Sequence, residues 1–397
     1  MSRGVVILGA TGSVGRSALE VMAAQSEPPA LEALTAYRDV ERLAQLARAH
    51  RPRVAVIADP ACGPALTAAL SGTGIEIAAG MDALADVAGG TGSDTVLSAI
   101  VGAAGLLPTL AAVRAGKRVL IANKEPLVMA GGIVMAAARA SGAEILPVDS
   151  EHNAIFQCLP TGYRCGQPPE GVERLILTAS GGPFRSWSRA EMAAATPAQA
   201  VAHPNWEMGA KISVDSATMM NKGLEVIEAH WLFATAAEHI DIVVHPQSIV
   251  HSLVVYRDGS LLAQMGAPDM RIPIANALGH PERLPSGAAT LDLIRAGSLQ
   301  FEPADAERFP CLRLARAAID GTDAAPTVLN AANEVAVEAF LSGRLAFDGI
   351  AAVIEATLEG AGRLAVRDSA SLDAVIGLDG WARAFATERI AGAKYTA

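Results

Sequence analysis

Short apolar runs alternate with helix-period patterns over the first 150 residues. Val5 to Leu8, Leu31 to Ala36, Val54 to Ala58, Ile75 to Ala78, Thr95 to Ile100, Val119 to Ala122 and Glu144 to Val148 read as strands. Val14 to Gln25 and Val40 to Ala49 read as helices between them, and strands separated by helical crossovers predict a parallel, doubly wound sheet of the α/β class. The rhythm changes near Asp149. Leu175 to Ala179, Ile240 to Val244, Ile249 to Tyr256 and Leu261 to Met265 follow as strands, the last two joined by the hairpin signal Arg257-Asp258-Gly259, so a mixed or antiparallel α+β domain is expected over 150–279. Prolines 281, 285, 303 and 310 with Gly287 and Gly297 mark 280–310 as a linker. Ala-rich patterns near Leu312 to Asp320, Val328 to Ser342 and Ile350 to Glu359 predict a small helical domain over 311–397.

Composition narrows the classes. The 397 residues allow two or three domains, and 51% hydrophobic against 18% charged excludes disorder as the main state. Mean hydropathy of +0.32 raises the question of a membrane. The longest uncharged stretch, Thr95 to Val113, is broken by Ser98, Gly102, Gly105, Pro108 and Thr109, and reads as strand, turn and helix start rather than as a span. No signal peptide precedes the first strand, so a cytoplasmic location is expected. Cys62, Cys158, Cys165 and Cys311 lack metal-ligand spacing and read as reduced thiols. The net charge of −10 argues against nucleic acid as a partner. An anionic ligand would have to be met by local basic groups or helix N-termini.

Gly9-Ala10-Thr11-Gly12-Ser13-Val14-Gly15 follows a strand and opens a helix, the context of a Rossmann-like dinucleotide loop in which backbone N–H groups meet a pyrophosphate. The second strand ends in Tyr37-Arg38-Asp39. Arg38 is placed to pair with a 2′-phosphate, which favours NADP over NAD, whereas Asp39 nearer the ribose would admit NAD.

Further candidates gather downstream. Asp149 and Glu151, at i and i+2 after an apolar strand, project to one side of an extended chain and suit a hard divalent cation. In Val214 to Val226, Ser216 or Asp215 can cap a helix on which Asn221 and Glu225 share a face beside Lys222. The small-residue loop at Ser180-Gly181-Gly182 can offer N–H groups to phosphate. The loop at His203 to Gly209 carries Trp206 and Met208 and has a composition suited to closing over a ligand. Asn123-Lys124-Glu125 ends a strand at the carboxyl edge of the sheet. Each has a plainer reading beside it: an acidic turn, a solvated helix face, a Trp anchor, a surface turn. His245 and His251 read as structural histidines in strands.

Together, the Gly9 to Gly15 loop, Asn123-Lys124-Glu125, Pro147 to Asn153, Ser180 to Phe184, His203 to Gly209, Ser216 to Glu225 and Asn330-Ala331-Ala332-Asn333-Glu334 resemble the 1-deoxy-D-xylulose 5-phosphate reductoisomerase family over nearly the full length. The resemblance implies an NADPH-binding, Rossmann-like first domain over 1–149 and a catalytic, connective second domain over 150–279 closed by a lid loop at about 180–210. Asp149, Glu151 and Glu225 would hold Mg²⁺ or Mn²⁺, with Co²⁺ a third candidate. Ser180, Ser216, Asn221 and Lys222 would bind the phosphate of the sugar substrate, and Ser150 and Lys124 its hydroxyl oxygens. His203 would organise the lid, Trp206 would cover the substrate, and Met208 would lie near the nicotinamide. Thr11, Gly12, Ser13, Val14, Arg38, Asp39, Asn123, Glu125 and Gly209 would hold the dinucleotide. The family usually carries Gly-Lys-Asn where this chain has Tyr37-Arg38-Asp39. The implied reaction is a metal-dependent retro-aldol and aldol rearrangement followed by hydride transfer, giving 2-C-methyl-D-erythritol 4-phosphate in the non-mevalonate pathway, by a homodimer. Two other readings stand beside it: a dehydrogenase of the semialdehyde or homoserine type, and a non-catalytic NADP-sensing regulator.

Overall fold

The computed structural model describes residues 4–204, 206, 208–363 and 371–392. Seven strands form the first sheet: β1 (Val5–Leu8), β2 (Leu31–Ala36), β3 (Val54–Ile57), β4 (Glu76–Ala79), β5 (Thr95–Ser98), β6 (Arg118–Ile121) and β7 (Glu144–Pro147). All neighbours pair in parallel in the order β4-β3-β2-β1-β5-β6-β7. Helices α1 (Ser13–Ala23), α2 (Val40–His50), α3 (Gly63–Ala69), α4 (Met81–Gly89), α5 (Leu106–Arg114) and α6 (Glu125–Ser141) supply the crossovers. Strand order reverses between β1 and β5, so the carboxyl ends of these two strands flank the crevice in which such sheets take ligands. β5 ends at Ser98, two residues before the expected Ile100, and the chain then turns against the glycine loop. A Cβ on Gly9 would lie 2.6 Å from the Ala99 carbonyl oxygen, so only glycine lets the two loops touch.

β7 leads directly into α7 (Ser150–Cys158). The second sheet has the order β11-β10-β8-β9-β12, from β8 (Val172–Ala179), β9 (Ile240–Val244), β10 (Val250–Tyr256), β11 (Leu261–Met265) and β12 (Glu302–Pro303). β8 and β9 are parallel, and the remaining pairs are antiparallel, so the sheet is mixed. The proline-rich segment 280–310 does more than connect: Glu302 and Pro303 pair with Val244 and Val243 as an edge strand. Pro303 is tolerated there because an edge leaves one side of the ladder unpaired. Between β8 and β9 come α8 (Arg189–Ala193), α9 (Pro197–Val201), α10 (Ala210–Ala217) and α11 (Met220–Phe233), and after β11 come α12 (Arg271–Gly279) and α13 (Leu293–Ala296). The segment read as a loop near 180–210 thus holds two short helices, each started by a capping box, Ser188 with Glu191 and Thr196 with Gln199.

The chain closes with α14 (Pro310–Ile319), α15 (Ala325–Leu341), α16 (Phe347–Arg363) and α17 (Leu372–Gly392). Two large apolar clusters form the core. One joins the first sheet to α7, β8 and part of α11; the other joins α10, the rest of α11 and the C-terminal helices. α11 lies between them, with Val226 and Ala229 in the first and Leu224 and Ile227 in the second. Burial on both sides fixes its rotation. Among the described residues, no helix is long and apolar enough to cross a membrane.

Candidate active site

At the crevice, the backbone N–H of Gly9 donates to Thr35 Oγ1 on β2 at 2.9 Å. A Cβ on Gly15 would fall 2.5 Å from the Gly9 carbonyl oxygen, so α1 seats tightly against β1. α1 starts at Gly12 with no side-chain cap and no acidic residue in its first turn, which leaves N–H groups near Ser13 and Val14 for an anion. At the end of β2, Arg38 is exposed, lies over the Tyr37 ring at 4.7 Å, and is held by Asp59 through Nε at 2.6 Å. Asp39 is occupied otherwise: its side chain accepts the Arg42 N–H and caps α2. Both side chains thus have local partners, Arg38 in Asp59 and Asp39 in the start of α2. Asn123 is buried beneath the β5–α5 loop, where its Oδ1 accepts from Ser98 Oγ at 2.8 Å.

The acidic constellation forms where three elements meet. Asp149 is the residue before α7 and Glu151 lies in its first turn, so they converge over a helix N-terminus rather than along an extended strand as their spacing suggested. Glu225 comes from α11 and is fully buried. Ligand oxygens of Asp149, Glu151 and Glu225 all lie within 4.8 Å of one another. Lys124 Nζ, at the start of α6, is 2.7 Å from Asp149 Oδ2 and 3.6 Å from Glu225 Oε1, and donates to Asn221 Oδ1 at 2.7 Å. Lys222 Nζ lies 2.8 Å from Glu151 Oε1 and also contacts Glu225. Asn221 Nδ2 donates to Glu225 Oε1 at 2.6 Å, confirming their shared face. Ser150 Oγ donates to Glu151 Oε2 at 2.6 Å.

Electrostatics follow from this crowding. Burial and the charge of Glu151 push Glu225 up to about 8. Glu151 goes the other way: burial opposes ionisation, but Lys222 outweighs it and holds the carboxyl well below its ordinary range. Burial works against the charge on Lys124, yet Asp149 and Glu225 outweigh it and keep the ammonium protonated. A fourth buried carboxylate, Glu228, is raised by burial and by Asp149. Four carboxyl groups face two lysines, two of them, Glu225 and Glu228, pushed toward the neutral form, while burial drives His152 down to about 4 and leaves it neutral. The hard oxygen donors of Asp149, Glu151 and Glu225 converging on one point fit a divalent cation of the Mg²⁺ or Mn²⁺ type, whose charge would favour the ionised form of Glu225.

The small-residue loop after β8 adjoins. Gly181 and Gly182 at the end of β8 have φ of 84° and 67°, and a Cβ on Gly182 would meet the Ser216 carbonyl oxygen at 2.5 Å, so this loop rests against the end of α10. Ser180 Oγ accepts the Gly182 N–H at 3.1 Å and lies 2.9 Å from His203 Nε2. His203 Nδ1 accepts the Trp206 N–H at 3.0 Å, which assigns the ring proton to Nε2 and the donor role toward Ser180. The Ser180 hydroxyl proton is then available to an anion. Ser216 does not cap the helix carrying Asn221, nor does Asp215. Both sit in the last turn of α10, and α11 starts after Met219, a left-handed residue at φ 60° with no side-chain cap. Asp215 is instead turned inward, 2.9 Å from Lys211 Nζ and accepting from Asn333 Nδ2 at 2.8 Å. Lys211 also pairs with Glu125 at 2.9 Å. Glu125 thus spends its carboxylate on a buried ion pair.

Around the closing loop, Trp206 and Met208 are half-buried and Gly209 precedes α10; Asn205 and Glu207 of the same motif lie outside the described residues. The Trp206 ring stands 6.3 Å from that of His251, which brings a histidine read as structural to the site. His245 keeps that reading, with Nδ1 2.7 Å from the Gln300 carbonyl and its ring stacked on Phe301. His152 escaped the sequence reading although adjacent to Glu151: Nε2 is 2.9 Å from the Glu225 carbonyl and Nδ1 3.2 Å from Glu228. Lys211 escaped it too, and its i,i+4 spacing to Asp215 was the available signal.

Comparison with known proteins accords with this geometry. Three family models match: 1-deoxy-D-xylulose 5-phosphate reductoisomerase over residues 5–131, its C-terminal domain over 145–233, and a DXP reductoisomerase C-terminal domain over 265–385. The 1-deoxy-D-xylulose 5-phosphate reductoisomerase of Acidithiobacillus ferrooxidans is 53% identical over 394 residues, 98% of each chain. That of Burkholderia mallei is 54% identical over 389 residues, 98% of this chain and 96% of its own. Among solved structures, the Zymomonas mobilis enzyme in complex with NADPH superposes with a TM-score of 0.90 at 48% identity, covering 99% of this chain and all of its own. A DOX-P reductoisomerase in complex with NADPH, fosmidomycin and magnesium gives 0.94 at 44% identity with the same coverage. Family models matching over residues 5–131, 145–233 and 265–385, and relatives 53–54% identical over 98% of the chain, place this protein in the 1-deoxy-D-xylulose 5-phosphate reductoisomerase family.

Proposed function

We propose that this chain converts 1-deoxy-D-xylulose 5-phosphate into 2-C-methyl-D-erythritol 4-phosphate, using NADPH and a divalent cation. The observation that carries the reading is the convergence of Asp149, Glu151 and Glu225 beside Lys124 and Lys222, one helix turn from Asn221 and against the Ser180–Ser216 pocket. When bound, the cation supplies a Lewis acid for rearrangement of the carbon skeleton, and NADPH in the β1–β5 crevice supplies the hydride. The residues do the rest. Ser180, Ser216, Asn221 and Lys222 seat the phosphate, and binding energy from that remote group holds the loop at His203 and Trp206 closed. Lys124 and Ser150 orient the substrate's oxygens, and the Lys124 ammonium, kept protonated by its carboxylate neighbours, stabilises negative charge developing on them. Met208 excludes water beside the nicotinamide, and Arg38 receives the 2′-phosphate.

The chain also fits a homodimer: β11 is the outer edge of the second sheet, and its Leu261 and Leu262 are exposed. A cytoplasmic location accords with four free thiols. The test is NADPH oxidation followed by absorbance with 1-deoxy-D-xylulose 5-phosphate, with and without Mg²⁺ or Mn²⁺, alongside sedimentation for the dimer. Metal-dependent oxidation is expected; its absence would return the chain to the semialdehyde-type dehydrogenases or to a sensing role.

A further inference from the structure

The Asn330 to Glu334 motif has no part in the chemistry above, yet α15 carries it to the cofactor crevice. Glu334 Oε1 accepts the backbone N–H of Ala103 at 3.2 Å, across 231 residues of sequence, and Asn330 Nδ2 at 3.1 Å. Its other oxygen takes Arg383 of α17 at 2.5 Å, and Arg383 is held in turn by Asp379 through Nε at 2.7 Å. The target is the loop after β5, on the opposite side of the switch point from the Gly9 loop. Gly102 there has φ 78°, and a Cβ on it would come within 3.0 Å of Glu334 Oε1, so the carboxylate lies directly against the loop backbone. Ala103 opens a helical turn whose preceding residue, Gly102, has no side chain with which to cap it. A carboxylate borrowed from α15 fills that role and places negative charge where a helix start favours it. From below, Asn123 packs against Gly105 of the same loop. Val101, immediately before Gly102 in the same loop, is 69% exposed.

We propose that Glu334 is a positioning residue for the cofactor: fixed by Arg383, it holds Gly102 and Ala103 so that the β5–α5 loop forms the second wall of the NADPH crevice. The C-terminal helices then act on dinucleotide affinity without touching the dinucleotide. This rests on the NADPH reading above, and the two can fail separately.

The experiment uses the full chain with Glu334→Ala. The Kd and KM for NADPH should rise about tenfold, the loss expected when a binding loop is no longer held in one arrangement, while kcat at saturating NADPH and KM for the sugar phosphate stay within about twofold. Amide exchange over residues 99–106 should accelerate. Glu334→Gln, which keeps an acceptor oxygen, should fall between Ala and wild type, and it replaces Ala if that variant does not fold. An NADPH Kd within about twofold of wild type in a folded variant overturns the assignment, as does unchanged exchange. If wild type itself binds no NADPH, the functional reading falls and exchange at Ala103 alone decides whether Glu334 braces the loop.

Discussion

Metal affinity should depend on pH through one buried carboxyl. In the metal-free protein Glu225 keeps a proton up to about pH 8, because burial and the charge of Glu151 favour its neutral form. A divalent cation needs the carboxylate, so that proton leaves on binding. Each pH unit below about 8 then costs about 1.4 kcal/mol, a factor of about ten in affinity. From pH 8, where the carboxyl is half ionised, to pH 6 the Kd for Mn²⁺ should weaken about fiftyfold, with proton release rising from about one half to close to one per cation, and above about pH 9 the dependence should flatten. Glu225→Gln removes both a charged ligand and the titration: binding weakens at every pH, but the slope between pH 6 and 8 is lost. Calorimetry in buffers of different ionisation enthalpy gives Kd and proton release together, and NADPH affinity measured alongside reports on folding. A wild-type Kd changing by less than about threefold across that window, or a Gln variant with the wild-type slope, would refute the reasoning. Stability has the matching sign. A carboxyl raised in the folded state stabilises the metal-free protein fully below its ordinary value near 4.5, and that contribution is lost as pH rises through about 8. The Tm of metal-free protein should therefore fall over this range, and Mn²⁺ should offset the fall.

Two further outcomes test other regions. Arg38→Ala should raise KM for NADPH by about tenfold or more with little change for NADH, as loss of a charge-assisted phosphate contact requires, and equal effects on both would remove the 2′-phosphate assignment. Asp59→Asn, which frees the guanidinium without removing it, should shift that ratio less. Lys211→Met leaves Glu125 and Asp215 buried without their shared cation, a cost of about 3–5 kcal/mol. At an unfolding entropy of about 2.1 cal/mol/K per residue, this lowers Tm by about 4–6 °C, partly regained on adding Glu125→Gln; a drop under about 1 °C in thermal melts contradicts the pairing.

Much of this architecture was legible because it is written locally. The seven parallel strands announce themselves as apolar runs between helical patterns, and Gly9 to Gly15 carries its own constraint, since close backbone approach excludes a Cβ. Asn221 and Glu225 were correctly paired because a four-residue spacing means the same thing on any helix. What failed was inference across element boundaries. Asp149 and Glu151 looked like strand residues, but α7 begins one residue after Asp149, and convergence over a helix start did the work assigned to alternation. Ser216 looked like a cap because no sequence signal distinguishes a helix beginning from one ending just before a left-handed residue. Partnerships such as Asn333 with Asp215, or Glu334 with Ala103, span more than a hundred residues and leave no periodic trace.

The left-handed turn at Met219 has a consequence for which changes of length the chain can accept. Ser216 ends one helix, Asn221, Lys222 and Glu225 begin the next, and a single buried residue at φ 60° sets the angle between them. Adding or deleting one residue there would turn α11 by about 100° about its axis, while both of its flanks are committed to separate apolar cores. The helix can satisfy those cores in only one rotation, so the error would be absorbed by the short connection and felt first by Asn221, Lys222 and Glu225 at its start. The count of residues from Ser216 to Glu225 is therefore itself a functional quantity, as binding as the identity of any side chain within it.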